Sequence, residues 1–182
     1  TSGLENVEFV VELTNTSASE IPDWSKIYKD SDVINLAHTK TSSNDDKNHY
    51  KEVRYFKSVL AFKQFLDNNI QSYLALFSKA LKENDPDFDQ NILFELFKYL
   101  SEENNVPFEN ELCAILDSNN FDEKKKDLIS SLSKGEKRFV ISTYATIGAG
   151  QNLQYIIPDN RQNEVVKIND ARNCKKKSEM DF

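Results

Sequence analysis

The sequence predicts an α/β fold in which a parallel sheet is interrupted by a long all-helical insertion. Two short runs rich in β-branched and aromatic residues, Val7 to Leu13 ("VEFVVEL") and Arg138 to Tyr144 ("RFVISTY"), read as buried strands. Between them, from Tyr50 onward, apolar residues recur every three or four positions, the period of an amphipathic helix. Strands apolar on both faces, in a β-α-β order, predict that the two strand segments lie parallel in one sheet.

The elements follow in chain order. After Val7 to Leu13, the polar, proline-containing "TNTSASEIPDW" ends the first strand. "DWSKIYKD" reads as a short helix. "DVINLAHT", Asp32 to Thr39, reads as a second strand, and "KTSSNDDKNH" as a polar loop. Val53, Phe56, Val59, Phe62, Leu66, Ile70, Tyr73, Phe77 and Leu81 mark a long helical region, broken near Asp67 and again at Pro86. Ile92, Leu93, Leu96, Phe97 and Leu100 predict another helix, and Leu112, Cys113, Ile115 and Leu116 a short third one. Asn120 and Glu123 have capping-box spacing at the start of a helix that Gly135 stops. Asn163 to Asp170 reads as a last strand. The expected organisation is residues 1–49 as the first part of the sheet, 50–120 as the helical insertion and 121–182 as the second part.

Composition narrows the classes. The 182 residues are 38% apolar, with twelve Phe and seven Tyr, enough for a core. The net charge of −7 and pI near 5.0 argue against strong autonomous nucleic-acid binding, which calls for a basic face. The "KKK" at Lys175 to Lys177, near Arg172, is the densest basic patch and reads as a solvated loop. Cys113 and Cys174 have no CxxC spacing, which predicts reduced thiols and a cytoplasmic setting. His38 and His49 lack ligand spacing with either cysteine, so no metal site is expected. No segment approaches the roughly 18 apolar residues of a membrane span, so no membrane partner is expected. The "NTS" at Asn15 reads as a chance sequon. Both ends read as cut from a longer protein.

"KRFVISTYATIGAGQNLQY", Lys137 to Tyr155, stands apart. It holds two of the chain's four glycines, one residue apart, after a strand and a Ser-Thr pair. With the preceding "SSLSKGE" it resembles motif V of the second RecA-like domain of superfamily-two helicases and translocases. "FVVELTNTS" and "VINLAHTKTSSND" are similar to the first two strands of that domain. The resemblance implies a partial RecA-like sheet and ATP-dependent motor activity. No G-x-x-x-x-G-K-[ST] segment and no acidic Walker B strand is present in the sequence, and neither is motif VI. The chain is therefore expected to be inactive without the first motor domain, to have no catalytic residue of its own, and to bind no cofactor alone.

On this resemblance, Ser142, Thr143 and Tyr144 are expected to contact a nucleic-acid backbone, with His38 and Thr39 beside them. Hydroxyls and backbone N–H groups at a strand exit suit phosphate oxygens. Gly148, Gly150, Gln151 and Asn152 are expected on the nucleotide side, where glycine permits close backbone approach and amides present donors. The implied cofactors of the full-length protein are ATP and Mg²⁺, and its partners are DNA or RNA and the first RecA-like domain. A second reading stays open: a non-enzymatic interaction module whose helical block is the binding platform. A self-contained nucleotide-binding domain is disfavoured, because "TNTSASE" replaces a glycine-rich turn after the first strand.

Overall fold

A computed structural model of the chain describes residues 21–42, 49–68, 70–108, 112–147, 153–156, 158–160 and 179–181. The helices are α1 (Ser31–Thr41), α2 (Tyr50–Asp67), α3 (Gln90–Glu103), α4 (Phe121–Ser133) and the single turn α5 (Tyr144–Ile147). The strands are β1 (Ser72–Phe77), β2 (Cys113–Ile115), β3 (Arg138–Thr143), β4 (Gln154–Ile156) and β5 (Glu179–Asp181). A 3-10 turn at Trp24–Lys26 precedes them. The fold is mixed α/β, with a parallel sheet of strand order β1-β3-β2. β4 and β5 pair antiparallel in a separate ribbon. Among the described residues, no helix is long and apolar enough to cross a membrane.

β3 sits in the middle, and side chains alternate across the sheet as a pleated strand requires. Phe139 and Ile141 enter one core with Cys113 and the inward faces of α1, α2 and α3. Val140 enters another with Leu116, Phe121, Leu128 and Leu132, beneath α4. β1 and β2 keep the same alternation: Tyr73, Ala75, Phe77 and Ile115 pack on the first core, Leu74 and Ala114 on the second. Helices thus cover both faces, the arrangement in which parallel sheets are stable.

Two local expectations are corrected. Asp32 to Thr39 is not a strand but the body of α1. Its β-branched Val33 and Ile34 lose to a strong start signal: the Asp30 carboxylate accepts the Asp32 N–H at 2.8 Å and caps the helix. The block 50–120 is not all-helical, because β1 and β2 lie within it. "YLALF" and "CAI" are continuous apolar runs whose side chains pack on both faces of the sheet. Such runs carry no period of two, and Tyr73 and Phe77 extended the helical spacing by coincidence. The insertion therefore supplies two of the three parallel strands. The expected strands Val7 to Leu13 and Asn163 to Asp170 lie outside the described residues.

The helices expected around Leu96 and after Asn120 are present. α3 spans the predicted periodic residues, with Asp89 capping Asn91 at 2.8 Å. α4 begins after Asn120, but the capping-box bond is not made: the Asn120 amide binds Asp117 instead, at 2.7 Å. At its other end Gly135 adopts φ 86°, while the N–H groups of Gly135 and Glu136 bond to the Leu132 and Ser131 carbonyls. That is a Schellman stop, for which glycine is the unstrained residue.

Phe139 meets Phe62, Phe65, Tyr73 and Phe97, with ring centroids 5.2, 5.6, 5.1 and 5.6 Å away. Its truncation to alanine leaves a cavity beneath three helices. Phe139→Ala is expected to destabilise the chain by about 3–5 kcal/mol, read from the denaturant midpoint; a shift below a quarter of that contradicts the central placement of β3.

Candidate functional site

Ligands of open parallel sheets gather at the carboxyl ends of the strands. Here that edge is formed by Phe77 and Ser78 after β1, Leu116 and Asp117 after β2, and Thr143 and Tyr144 after β3. The register brings Phe77 opposite Thr143 and Leu76 opposite Ser142.

The Ser142 and Thr143 hydroxyls point to different tasks. Ser142 faces inward, 2% exposed, and its Oγ donates to the Leu116 carbonyl at 2.8 Å. It ties the exit of β3 to the exit of β2. Thr143 is half-buried at the rim. Its Oγ1 accepts the Thr146 N–H at 3.1 Å and lies 3.0 Å from the Thr146 hydroxyl, which turns the chain sharply into α5. Tyr144 begins that turn with its side chain 65% exposed, leaving a ring free to stack.

His38 and Thr39 are held elsewhere. They lie on α1, so the strand-end position that made them expected nucleic-acid contacts does not exist. His38 Nδ1 is 2.8 Å from the Glu52 carboxylate, which also accepts the Trp24 indole N–H at 2.9 Å. The Thr39 hydroxyl donates back to the Asn35 carbonyl at 2.8 Å. No hydrogen bond or ion pair among the described residues joins either to Ser142, Thr143 or Tyr144. Gly148, Gly150, Gln151 and Asn152 lie outside the described residues.

A cavity that the sequence does not announce opens at the end of β1. It has a volume of about 200 Å³ and is lined by Arg54, Leu76, Phe77, Ser78, Lys79 and Phe88. α2 runs into β1 through a short connection, which returns the first turns of the helix, and Arg54 with them, to the carboxyl end of the strand. The other wall is the loop from Lys79 to Asp89, and two carboxylates build it. Asp85 accepts the N–H groups of Asp87 and Phe88 at 3.0 and 3.1 Å and pairs with Lys79 Nζ at 2.7 Å. The Lys79 hydrogen bond, followed by that from Asp87 N–H, holds its carboxyl down to about 2. Asp89 caps α3 and accepts the N–H of Asn84, whose φ of 57° lies in the left-handed region. The Tyr55 hydroxyl accepts the Asp89 N–H at 2.6 Å, and burial pushes its pKa up to about 12.

The chain matches no protein-family model and no curated protein. Among the described residues, no group of three His, Cys, Asp or Glu side chains is placed to hold a metal ion.

Two expected outcomes follow from this geometry. Ser142→Ala leaves the buried Leu116 carbonyl without its partner and is expected to cost about 1–3 kcal/mol of stability. Thermal unfolding checks it, and an unchanged midpoint argues against the tie between β2 and β3. Asp85 has a depressed pKa, so its stabilising contribution is whole above the ordinary carboxyl value of 3.8 and is lost as pH falls through about 2. Asp85→Asn is therefore expected to be less stable than the parent near neutrality, with the gap closing in acid. Parallel acid-unfolding curves at a constant offset contradict it.

Proposed function

We propose that this chain is part of the second RecA-like domain of an ATP-dependent nucleic-acid helicase or translocase. In this reading it contributes backbone contacts to DNA or RNA and one side of the ATP cleft, with ATP and Mg²⁺ bound only when the first motor domain is present. Its setting is the cytoplasm. The supporting observation is the exit of β3. The motif V-like segment leaves the central strand of a parallel sheet at its carboxyl end, with Thr143 at the rim and Tyr144 exposed beside it. The segment Asp32 to Thr39, which also resembles the family, is a helix and lends no support. The resemblance thus rests on the motif V-like stretch, and the parallel sheet that carries it is built from β1, β2 and β3.

The division of labour follows from burial. Ser142, buried, positions the strand exit through Leu116. Thr143 and Tyr144 offer a hydroxyl and an aromatic face to a nucleic-acid strand. His38 and Thr39, on α1, lend the reading no support.

The chain alone is expected to show no nucleic-acid-stimulated ATPase activity, since it has no P-loop lysine. In the protein with both motor domains, Tyr144→Ala is expected to weaken single-strand binding by about 1–3 kcal/mol, the usual worth of one base-aromatic stack. Thr143→Ala is expected to lower stimulated turnover while leaving nucleotide affinity unchanged. Filter binding and steady-state turnover measure the two. Parent-like values for both variants overturn the reading.

A further inference from the structure

Arg54, at the carboxyl end of β1, takes part in no ion pair among the described residues. Its guanidinium lies over the Tyr50 ring at 4.7 Å and near the Phe88 ring at 5.4 Å. One of its nitrogens donates to the Tyr50 hydroxyl at 2.9 Å. No described carboxylate pairs with it. Arg54 lines the cavity, and with one nitrogen on the Tyr50 hydroxyl its remaining N–H donors, the part of arginine that forks onto oxyanions, have no carboxylate among the described residues.

The opposite wall is different. Lys79 pairs with Asp85 at 2.7 Å and lies 3.9 Å from Asp87. Asp85 in turn spends its charge on Lys79 and two backbone N–H groups. The acidic residues of the loop are thus committed to shaping it. Ser78, exposed between Phe77 and Lys79, has a hydroxyl that no described residue engages.

We propose that this cavity is an oxyanion subsite that takes one phosphate group, with Arg54 as its fork and Ser78 and Lys79 as flanking donors. At about 200 Å³ the space falls below the ~300 Å³ at which pockets enclose whole small molecules. It holds a single group of a ligand whose remainder lies outside. The remainder has an evident track: Phe77 pairs with Thr143, so the next strand exit is about 4.8 Å away across the sheet. Identifying that remainder as a nucleic-acid strand rests on the proposed function. The phosphate subsite does not.

Two measurements separate the claims. In the first, inorganic phosphate is titrated into the chain at constant ionic strength, and the Arg54 Nε–H signal is followed by NMR. A saturable shift that chloride does not reproduce, shared by the Ser78 and Lys79 amides and absent in Arg54→Gln, is expected. Arg54→Lys, which keeps the charge and loses the fork, is expected to weaken phosphate binding in a natively dispersed spectrum. A shift that follows ionic strength alone, or that persists in the Ser78 and Lys79 amides of Arg54→Gln, overturns the subsite. In the second, a single-stranded oligonucleotide is titrated into the protein with both motor domains. A loss of about tenfold or more in affinity for Arg54→Gln assigns the phosphate to the strand. If phosphate shifts Arg54 but no oligonucleotide binds, the subsite stands as a free-phosphate site and the nucleic-acid reading fails. If Thr143→Ala weakens the oligonucleotide while Arg54 responds to neither probe, the nucleic-acid reading stands and the subsite falls.

Discussion

Everything described here hangs on β3 being buried on both faces at once. Its odd positions supply Phe139 and Ile141 to the core beneath α1, α2 and α3, while Val140 supplies the core beneath α4. A strand in that position has no solvent side, so its register is fixed twice over: a one-residue slip would exchange the two cores. The Phe139 ring, edge-on to Phe62 and Phe97 and stacked on Tyr73, sharpens the constraint. Aromatic geometry of this kind tolerates little sliding. With β3 fixed, the height at which Thr143 and Tyr144 leave the sheet is fixed too.

Sequence pattern made some of this legible and hid the rest for definite reasons. α3, α4 and β3 were readable because each has one clear signal: a 3.6-residue stripe, a glycine stop at Gly135, a β-branched run. β1 and β2 were unreadable because burial on both faces erases alternation, and "SYLALF" and "LCAIL" then look like turns of helix. α1 is hidden because Val33 and Ile34 favour strands locally; the Asp30 cap is a local signal that competes with them, whereas burial of Ala37 and Thr41, one turn apart, is a tertiary fact. At the site, the pair Ser142-Thr143 was recognisable, yet its division into an inward tie and a rim hydroxyl depends on the strand's phase. Arg54 gave no signal. In sequence it is one charge among aromatics in "YKEVRYF", and only the return of α2 into β1 brings it to the carboxyl edge.

The carboxyl edge also shows how an acidic chain can present a cation. The loop after β1 is rich in aspartate, but two of its carboxylates are drawn into the backbone: Asp85 into the turn before Phe88, Asp89 into the cap of α3. Their charges organise the wall and are largely compensated there. A net charge of −7 therefore says little about the field inside this one cleft.

The indole of Trp24 has a consequence of a different kind. It is the chain's sole tryptophan, 2% exposed, edge-on to Phe56 at 5.3 Å and hydrogen-bonded to a buried glutamate. Nature has placed one intrinsic fluorophore in the helical layer, against the first turns of α2 and beside α1. Its emission reports whether that layer is docked, free of any contribution from another tryptophan. Because its partner Glu52 stands two residues from Arg54, its colour also follows what happens at the start of α2.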